Sequence, residues 1–483
     1  MAGYIEGVDR QQATLFPERL DELVAGDALV RVLDLFVDQL DVGAAGFVRA
    51  KPAGIGRPGY RPGDLLRLFL YGYMNGVRSS RALERACWVN LELAWLLRRL
   101  QPDFKTIADF RKDNGDAISW TCQAFVRFAL THGLIKGRQV ATDGSRFRAA
   151  SSRRRRQARE DVEGEIRAHE VAIAGYLTDL EAADALVDPA EQAAERKRVK
   201  QALAELDAKA KAKREALATS TAKKLVVAEP ESVIFGQSDG RQPSYNVQLT
   251  VDLETQVVID AEPIGNPSDS GQLAPTAERV APLLGVRPPA ASETAEATPT
   301  VTLVADAGYS SANDAVTCEE IGFIPVFPVM RTVNPHGSFF NRTDFTHDAE
   351  RDLMTCPAGK ALAPKPKPQD GAIVYTARKT DCGACALKPQ CTRAEKRTVL
   401  RLINEPALER VARRLKAAPT LMNKRAQSVE PAFGTLKRWL NGGRFLLRGR
   451  PKAKTELGLV TLAFNLKRLA NLHGTRTLQQ ALA

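Results

Sequence analysis

The chain has 483 residues, too many for one ordinary hydrophobic core, so two to four folded units are expected. Hydrophobic residues make up 44%, enough for a packed interior, and the formal net charge is +12, which favours a polyanionic partner. No apolar run approaches membrane-spanning length and no basic-then-apolar leader opens the chain, so a soluble, cytoplasmic protein with no membrane partner is expected.

Residues 1 to about 136 read as all-helical. LDELVAGDALVRVLDLFVDQLD is an amphipathic run, and Pro and Gly breaks separate the helical stretches that follow. PDFKTIADFRKDNGDAISWTCQAFVRFALTHGLI reads as a short helix, a turn and a longer helix, with Asp103 or Thr106 as cap. Arg57, Arg61, Arg67, Arg78, Arg81, Lys105, Arg111 and Lys112, with Tyr60 and Tyr71 among them, form either a phosphate-facing surface or the solvated face of a bundle.

Gln139 to Thr142 read as a short strand with Asp143-Gly144 as its exit turn. An Arg, Lys, Glu and Ala-rich segment follows, opened by Arg153 to Arg156. Ile166, His169, Ile173, Tyr176 and Leu180 take the three-four spacing of a coiled-coil seam, and Val187-Asp188-Pro189 breaks it. A projecting helical hairpin over 153–224 is therefore expected. SYNVQLTVD and TQVVIDAEPI read as two strands joined through Leu253-Glu254-Thr255, and Asp269-Ser270 precede a helix. A Pro, Ala and Thr-rich linker spans about 287–300.

Val301, Leu303 and Val304 then form a buried strand that ends on Asp306 and turns through Gly308. This places the Asp306 carboxylate at a C-terminal sheet edge, where open α/β sheets bind ligands; a structural cap on the turn is the alternative. A helix from Asn313 to Ile321 and a strand in FIPVFPVM follow. Further on, Phe433, Leu436 and Leu440 recur at helical spacing beside Glu430. Pro431 fits the first turn of that helix if Ser428 caps it. Two aspartates at strand ends and a glutamate on a helix are oxygen donors suited to hard divalent cations, Mg²⁺ or Mn²⁺. Lys437 lies nearly two turns beyond Glu430, on the same helix face.

Seven cysteines, an odd number, argue for thiols or metal ligation over a disulfide framework. Cys356, Cys382, Cys385 and Cys391 supply four thiolates for a structural Zn²⁺ site, or form a metal-free thiol cluster. Cys87, Cys122 and Cys318 sit in apolar helical contexts and read as core thiols.

The order DGS at Asp143, ADAGY at Asp306 and VEPAFGTLK at Glu430 resembles the DDE transposases of bacterial insertion sequences. RPGYRPGDLLRLFLYGYMNGVRSSRALE and TIADFRKDN resemble their helical N-terminal domain, and GGRFLLRGRPKAKTELGLVTLAFNLKRL the end of their catalytic domain. The resemblance implies an α/β fold with an RNase H-like core, and Asp143, Asp306 and Glu430 as a metal-binding catalytic triad. It implies Lys437, Arg425, Arg444, Lys105 and Arg111 on DNA, element ends and target as substrates, and a homo-oligomer on DNA. Relatives often carry a Tyr near Met422, which this chain lacks. The implied organisation is a DNA-binding domain over 1–136, a core over 137–152 and 225–355, the hairpin over 153–224, a four-cysteine insertion over 356–395 and the catalytic Glu helix within 396–483. The expected activity is DNA cleavage and strand transfer. A nuclease of the same fold without strand transfer, and a zinc-containing DNA-binding protein with an inactive core, are the alternatives.

Overall fold

A computed structural model of the chain describes residues 19–52, 58–184, 188–235, 242–288, 301–330, 339–369 and 371–483. Arg57, Val187 and residues 289–300 of the expected linker lie outside the described residues, as does the side chain of Leu180.

The N-terminal part is helical: Leu29–Asp38, Pro62–Met74, Ser80–Val89, Leu91–Leu96, Phe104–Asp113 and Gly115–Thr131. Local chemistry starts these helices. Asp103, not Thr106, caps Phe104–Asp113 by accepting from the Lys105 and Thr106 backbone N–H groups, both at 3.0 Å. Pro62 opens Pro62–Met74, where a missing N–H costs nothing. That helix is apolar nearly all round and is buried along its whole length.

These helices do not have a core of their own. One continuous apolar core runs from Val24 to Leu482. The long helix Arg450–His473 joins the parts, packing on Pro62–Met74 and Gly115–Thr131 and also on the central sheet.

That sheet begins with β1, Gln139–Arg148. Next come the two-residue strands β2, Gln157–Ala158, and β3, Lys224–Leu225, which pair with each other. Between them the helices Arg159–Asp184 and Pro189–Thr219 pack together as the expected hairpin. Asp188 caps the second helix at Ala190 N–H, 2.8 Å. His169 takes part in the hairpin contact, with its Nε2 2.8 Å from Lys213 Nζ. The arginine run is a short 3₁₀ turn, Arg153–Arg155, ahead of β2.

The sheet continues with β4, Val233–Phe235, β5, Gln242–Asp252, β6, Val258–Ile264, β7, Val301–Val304, and β8, Phe323–Val326. Its order is β4-β5-β1-β7-β8, with β6 also paired to β5. β1 is central, antiparallel to β5 and parallel to β7; β7 is parallel to β8. The expected exit turn at Asp143-Gly144 is not there. β1 runs straight through, with Asp143 opposite Leu249 and Gly144 opposite Gln248, because the long partner β5 keeps supplying ladder hydrogen bonds as far as Arg148.

A second, five-stranded antiparallel sheet holds the cysteines: β9, Thr346–Asp348, β10, Leu353–Thr355, β11, Ala361–Pro364, β12, Ala372–Thr376, and β13, Thr398–Leu402. Its small core contains Phe345, Met354, Leu362, Tyr375 and Val399. The unit is therefore wider than 356–395, since its apolar face needs strands on both sides of the cysteines.

After it come the helices Glu405–Ala417 and Thr420–Trp439. The second starts well before Glu430, so Pro431 is interior and Ser428 is not its cap; Ser428 Oγ donates to Arg425 O at 2.9 Å. Proline removes the N–H that would have bonded to Gln427 O, and Gln256 Nε2 donates to that oxygen instead, at 3.0 Å. Among the described residues no helix is long and apolar enough to cross a membrane.

Candidate active site

The parallel pairing of β1 and β7 brings Asp143 and Asp306 side by side. Asp143 projects from the middle of β1, and Asp306 follows the end of β7. The helix Thr420–Trp439 packs against β1, β5 and β7 and carries Arg425 and Glu430 to the same place. There Arg425 Nη2 lies 2.9 Å from Asp143 Oδ2 and 3.5 Å from Asp306 Oδ2, and its Nη1 lies 3.8 Å from Glu430 Oε1.

Each aspartate is also fixed by a glycine amide. Gly144 N–H donates to Asp143 Oδ1 and Gly308 N–H to Asp306 Oδ1, both at 2.8 Å. Asp306 thus does both things its sequence context allowed: one oxygen caps the turn Ala307–Tyr309, and the other faces Arg425. Glu430 is the outermost of the three, its side chain 65% exposed against 15% for Asp143. Burial pushes the Asp143 carboxyl up to about 6; Arg425 opposes this, and Asp306 adds to it.

The donor set fits a hard divalent cation. Three carboxylates converge on one positive group, and the guanidinium at their centre is a stand-in cation. Among the described residues no three His, Cys, Asp or Glu groups are spaced to hold an ion directly.

Lys437 reaches β1 beside this cluster. Its Nζ donates to Ser145 Oγ at 2.6 Å and stands 5.5 Å from the Phe147 ring centre. Burial lowers the pKa of its ammonium, and Asp143 pulls it back up. Gly144, Ser145, Arg146, Asn246, Asp269 and Lys437 line an open cavity of about 380 Å³ next to the triad. A second cavity, of about 260 Å³, is lined by Arg148, Arg153, Arg154 and Arg444. Arg444 is exposed there and donates to Ala150 O at 3.1 Å.

The expected N-terminal phosphate-facing surface divides. Lys105 is exposed. Arg111 is not available: it is 5% exposed, donates to Tyr73 Oη and Arg78 O, and lies 5.2 Å from the Phe69 ring centre. Arg67 is likewise buried against Asp34, Asp38 and Asp64, and Arg78 is paired with Glu456. These guanidinium groups satisfy buried carboxylates and backbone carbonyls inside the helical layer, so they face inward.

The four-cysteine expectation also changes. Cys356, Cys382, Cys385 and Cys391 are free thiols that line one small cavity of about 30 Å³, but they form no metal-holding group. Cys356, Cys382 and Cys391 also pack onto the apolar core of the small sheet. Burial raises the pKa of Cys391, against the pull of Arg397. Cys87 and Cys318 are buried, as expected, and Cys122 donates to Gly458 O.

Sequence reading missed Asp269, Asn246 and Gln248. Asp269 Oδ1 accepts from Asn246 Nδ2 and Gln248 Nε2, both at 2.8 Å, directly against Gly144. The available signal was the run of polar residues Ser244, Asn246, Gln248 and Thr250 alternating with Tyr245, Val247 and Leu249, which puts two amides on one buried face.

The central sheet thus gathers two aspartates from adjacent parallel strands and a helix-borne glutamate around one buried cation, Arg425. Residues 355–470 match the family described as Transposase DDE domain, and residues 18–113 match the one described as Transposase domain (DUF772). Both matches support a DDE transposase of an insertion sequence. No curated protein and no solved structure matches it.

Proposed function

We propose that the protein cuts DNA at the ends of an insertion sequence and joins those ends to target DNA, using divalent metal held by Asp143, Asp306 and Glu430. The observation that carries this reading is the convergence of the three carboxylates on Arg425 from β1, β7 and a helix far apart in sequence. The sheet order supports an RNase H-like core: a central strand, antiparallel partners on one side and two parallel strands on the other.

In this reading Asp143, Asp306 and Glu430 would hold Mg²⁺ or Mn²⁺, which would supply activation of the attacking oxygen and charge stabilisation of the leaving one for in-line displacement at phosphorus. The chain's own residues do the rest. Asp143 and Asp306 are aimed by the Gly144 and Gly308 amides, so their free oxygens share one side. Glu430 closes the set from the solvent side. Lys437 and the cavity lined by Arg148, Arg153, Arg154 and Arg444 offer positive charge to flanking phosphates. No side chain is needed as a covalent nucleophile: water serves in the first step and the freed 3′ hydroxyl in the second.

The test is a reaction of the full chain with Mg²⁺, a DNA duplex carrying the element end, and target plasmid. Cleaved ends and joined products are expected. Asp306→Asn should lose both, by roughly 100-fold or more, while still binding the end duplex. Cleavage without joined products would reduce the activity to that of a nuclease. Unchanged cleavage by Asp306→Asn would overturn the triad.

A further inference from the structure

A fourth carboxylate stands beside the triad. Asp269 follows β6 and precedes the helix Leu273–Leu284. In that place an aspartate ordinarily caps the helix, but here it does not. The first N–H groups of the helix, Leu273 and Ala274, donate to Asp314 Oδ2 at 3.0 and 3.4 Å. The Asp269 side chain is turned the other way, onto β1 and β5.

Two amides hold it there. Asn246 and Gln248, on one face of β5 and 3% and 1% exposed, both donate to its Oδ1. Gln248 is fixed in turn by the Tyr309 hydroxyl, which donates to its Oε1. Gly144 makes room: a Cβ at that position would come within 2.1 Å of Asp269 Oδ1. The other oxygen, Oδ2, lies against Gly308, whose amide holds Asp306. Among the described residues Oδ2 receives no hydrogen bond and Asp269 makes no ion pair.

A neutral acceptor would satisfy the two amides equally well. A carboxylate there adds negative charge beside Asp143 and Asp306, which is unfavourable unless a cation joins them. A separate feature marks the place as one for a cation. Arg425 is 7% exposed and its guanidinium pairs with Asp143, Asp306 and Glu430, so a buried positive charge already sits among the carboxylates.

We propose that Asp269 is a fourth carboxylate of the metal site, a divalent-cation ligand held in position beside Asp143 and Asp306 by Asn246 and Gln248. This inference rests on the reading of the triad as a metal site. It makes Asn246 and Gln248 positioning residues, since they act only through the carboxylate they orient.

The experiment is a calorimetric titration of the full chain with Mn²⁺ alone, without DNA, for the unaltered protein, Asp143→Asn and Asp269→Asn. Asp269→Asn keeps an oxygen for both amides, so its metal-free melting temperature should stay close to that of the unaltered chain. Its Mn²⁺ affinity should fall by about 10-fold or more. If Asp143→Asn loses Mn²⁺ and Asp269→Asn binds as tightly as the unaltered chain, Asp269 is not a ligand and the inference fails alone. If the unaltered chain binds no Mn²⁺, the metal-site reading fails and takes this inference with it. Should Asp269→Asn not fold, Asn246→Ala carries the test: it removes one orienting donor, several-fold weaker binding is expected, and unchanged affinity overturns the proposal.

Discussion

Arg425 and Asp143 form the most deeply buried ion pair of the site, with side chains 9% and 15% exposed and Nη2 2.9 Å from Oδ2. The same guanidinium reaches Asp306 and Glu430, so a divalent ion that uses these carboxylates must compete with it. Arg425→Gln should therefore destabilise the metal-free chain, by up to about 3–5 kcal/mol, because it leaves buried carboxylates without a partner. Mg²⁺ should then raise the melting temperature of Arg425→Gln more than that of the unaltered chain. Equal Mg²⁺ shifts in the two proteins would show that the guanidinium and the ion do not compete.

Lys437 is held on Ser145 Oγ beside the triad. Replacing it by Ala should weaken binding to the end duplex and lower the salt dependence of that binding by about one counterion. An unchanged salt slope would leave Lys437 as a structural partner of β1 and move the phosphate contact to Arg444.

Gly144 has no space for a side chain. Its Cβ would meet Asp269 Oδ1 at 2.1 Å and Gln248 Nε2 at 2.7 Å. Gly144→Ala should cost about 1–3 kcal/mol in denaturant unfolding, the usual range for overpacking a filled site. Adding Asp269→Ala should recover part of that loss, since it removes the clashing oxygen. Strictly additive losses would place the strain elsewhere.

Glu456 is fully buried and accepts from Arg78 Nη2 at 2.9 Å and from Leu446 N–H at 2.7 Å. It ties an N-terminal arginine to the C-terminal helix Arg450–His473, which shares the core of the N-terminal helices. Glu456→Ala should cost about 3–5 kcal/mol. A fragment ending near residue 136 should not fold cooperatively, and circular dichroism melting checks this. A sharp transition in the fragment would mean that the shared core is dispensable.

Glu319 joins the helix Ala312–Ile321 to the helix Glu405–Ala417, with its carboxylate on Arg410 and Arg414. Burial would raise its pKa, but hydrogen bonds from both arginines outweigh burial and hold it below 4.5. A carboxyl whose pKa falls on folding adds stability above its unfolded value and loses it as pH drops through the folded one. Glu319→Gln should thus be less stable than the unaltered chain at pH 7, by roughly 1 kcal/mol, and the gap should close below pH 4.5. A gap independent of pH would exclude the ion pair as its source.

The order of the parts was legible along the chain. Helical periodicity placed the N-terminal helices and the hairpin, because spacing along one chain is enough to show which face is apolar. Alternation marked the strands of the central sheet, and the three acidic motifs were legible because each sits in a short stretch of recognisable local chemistry. Only the tertiary structure decided what those residues face. Arg111 and Arg67 read as surface charge, yet they are buried on partners 29 to 38 residues away. Asp143-Gly144 read as a turn, because Asp-Gly favours one locally; a neighbouring strand with unspent ladder hydrogen bonds overrode that preference. Asp269 read as a helix start, and the cap came instead from Asp314, 41 residues beyond the Leu273 amide that it accepts from. Hydrogen-bond partners that distant in sequence leave no periodic trace in a single chain, so the fourth carboxylate became visible only once β1, β5 and β7 were side by side.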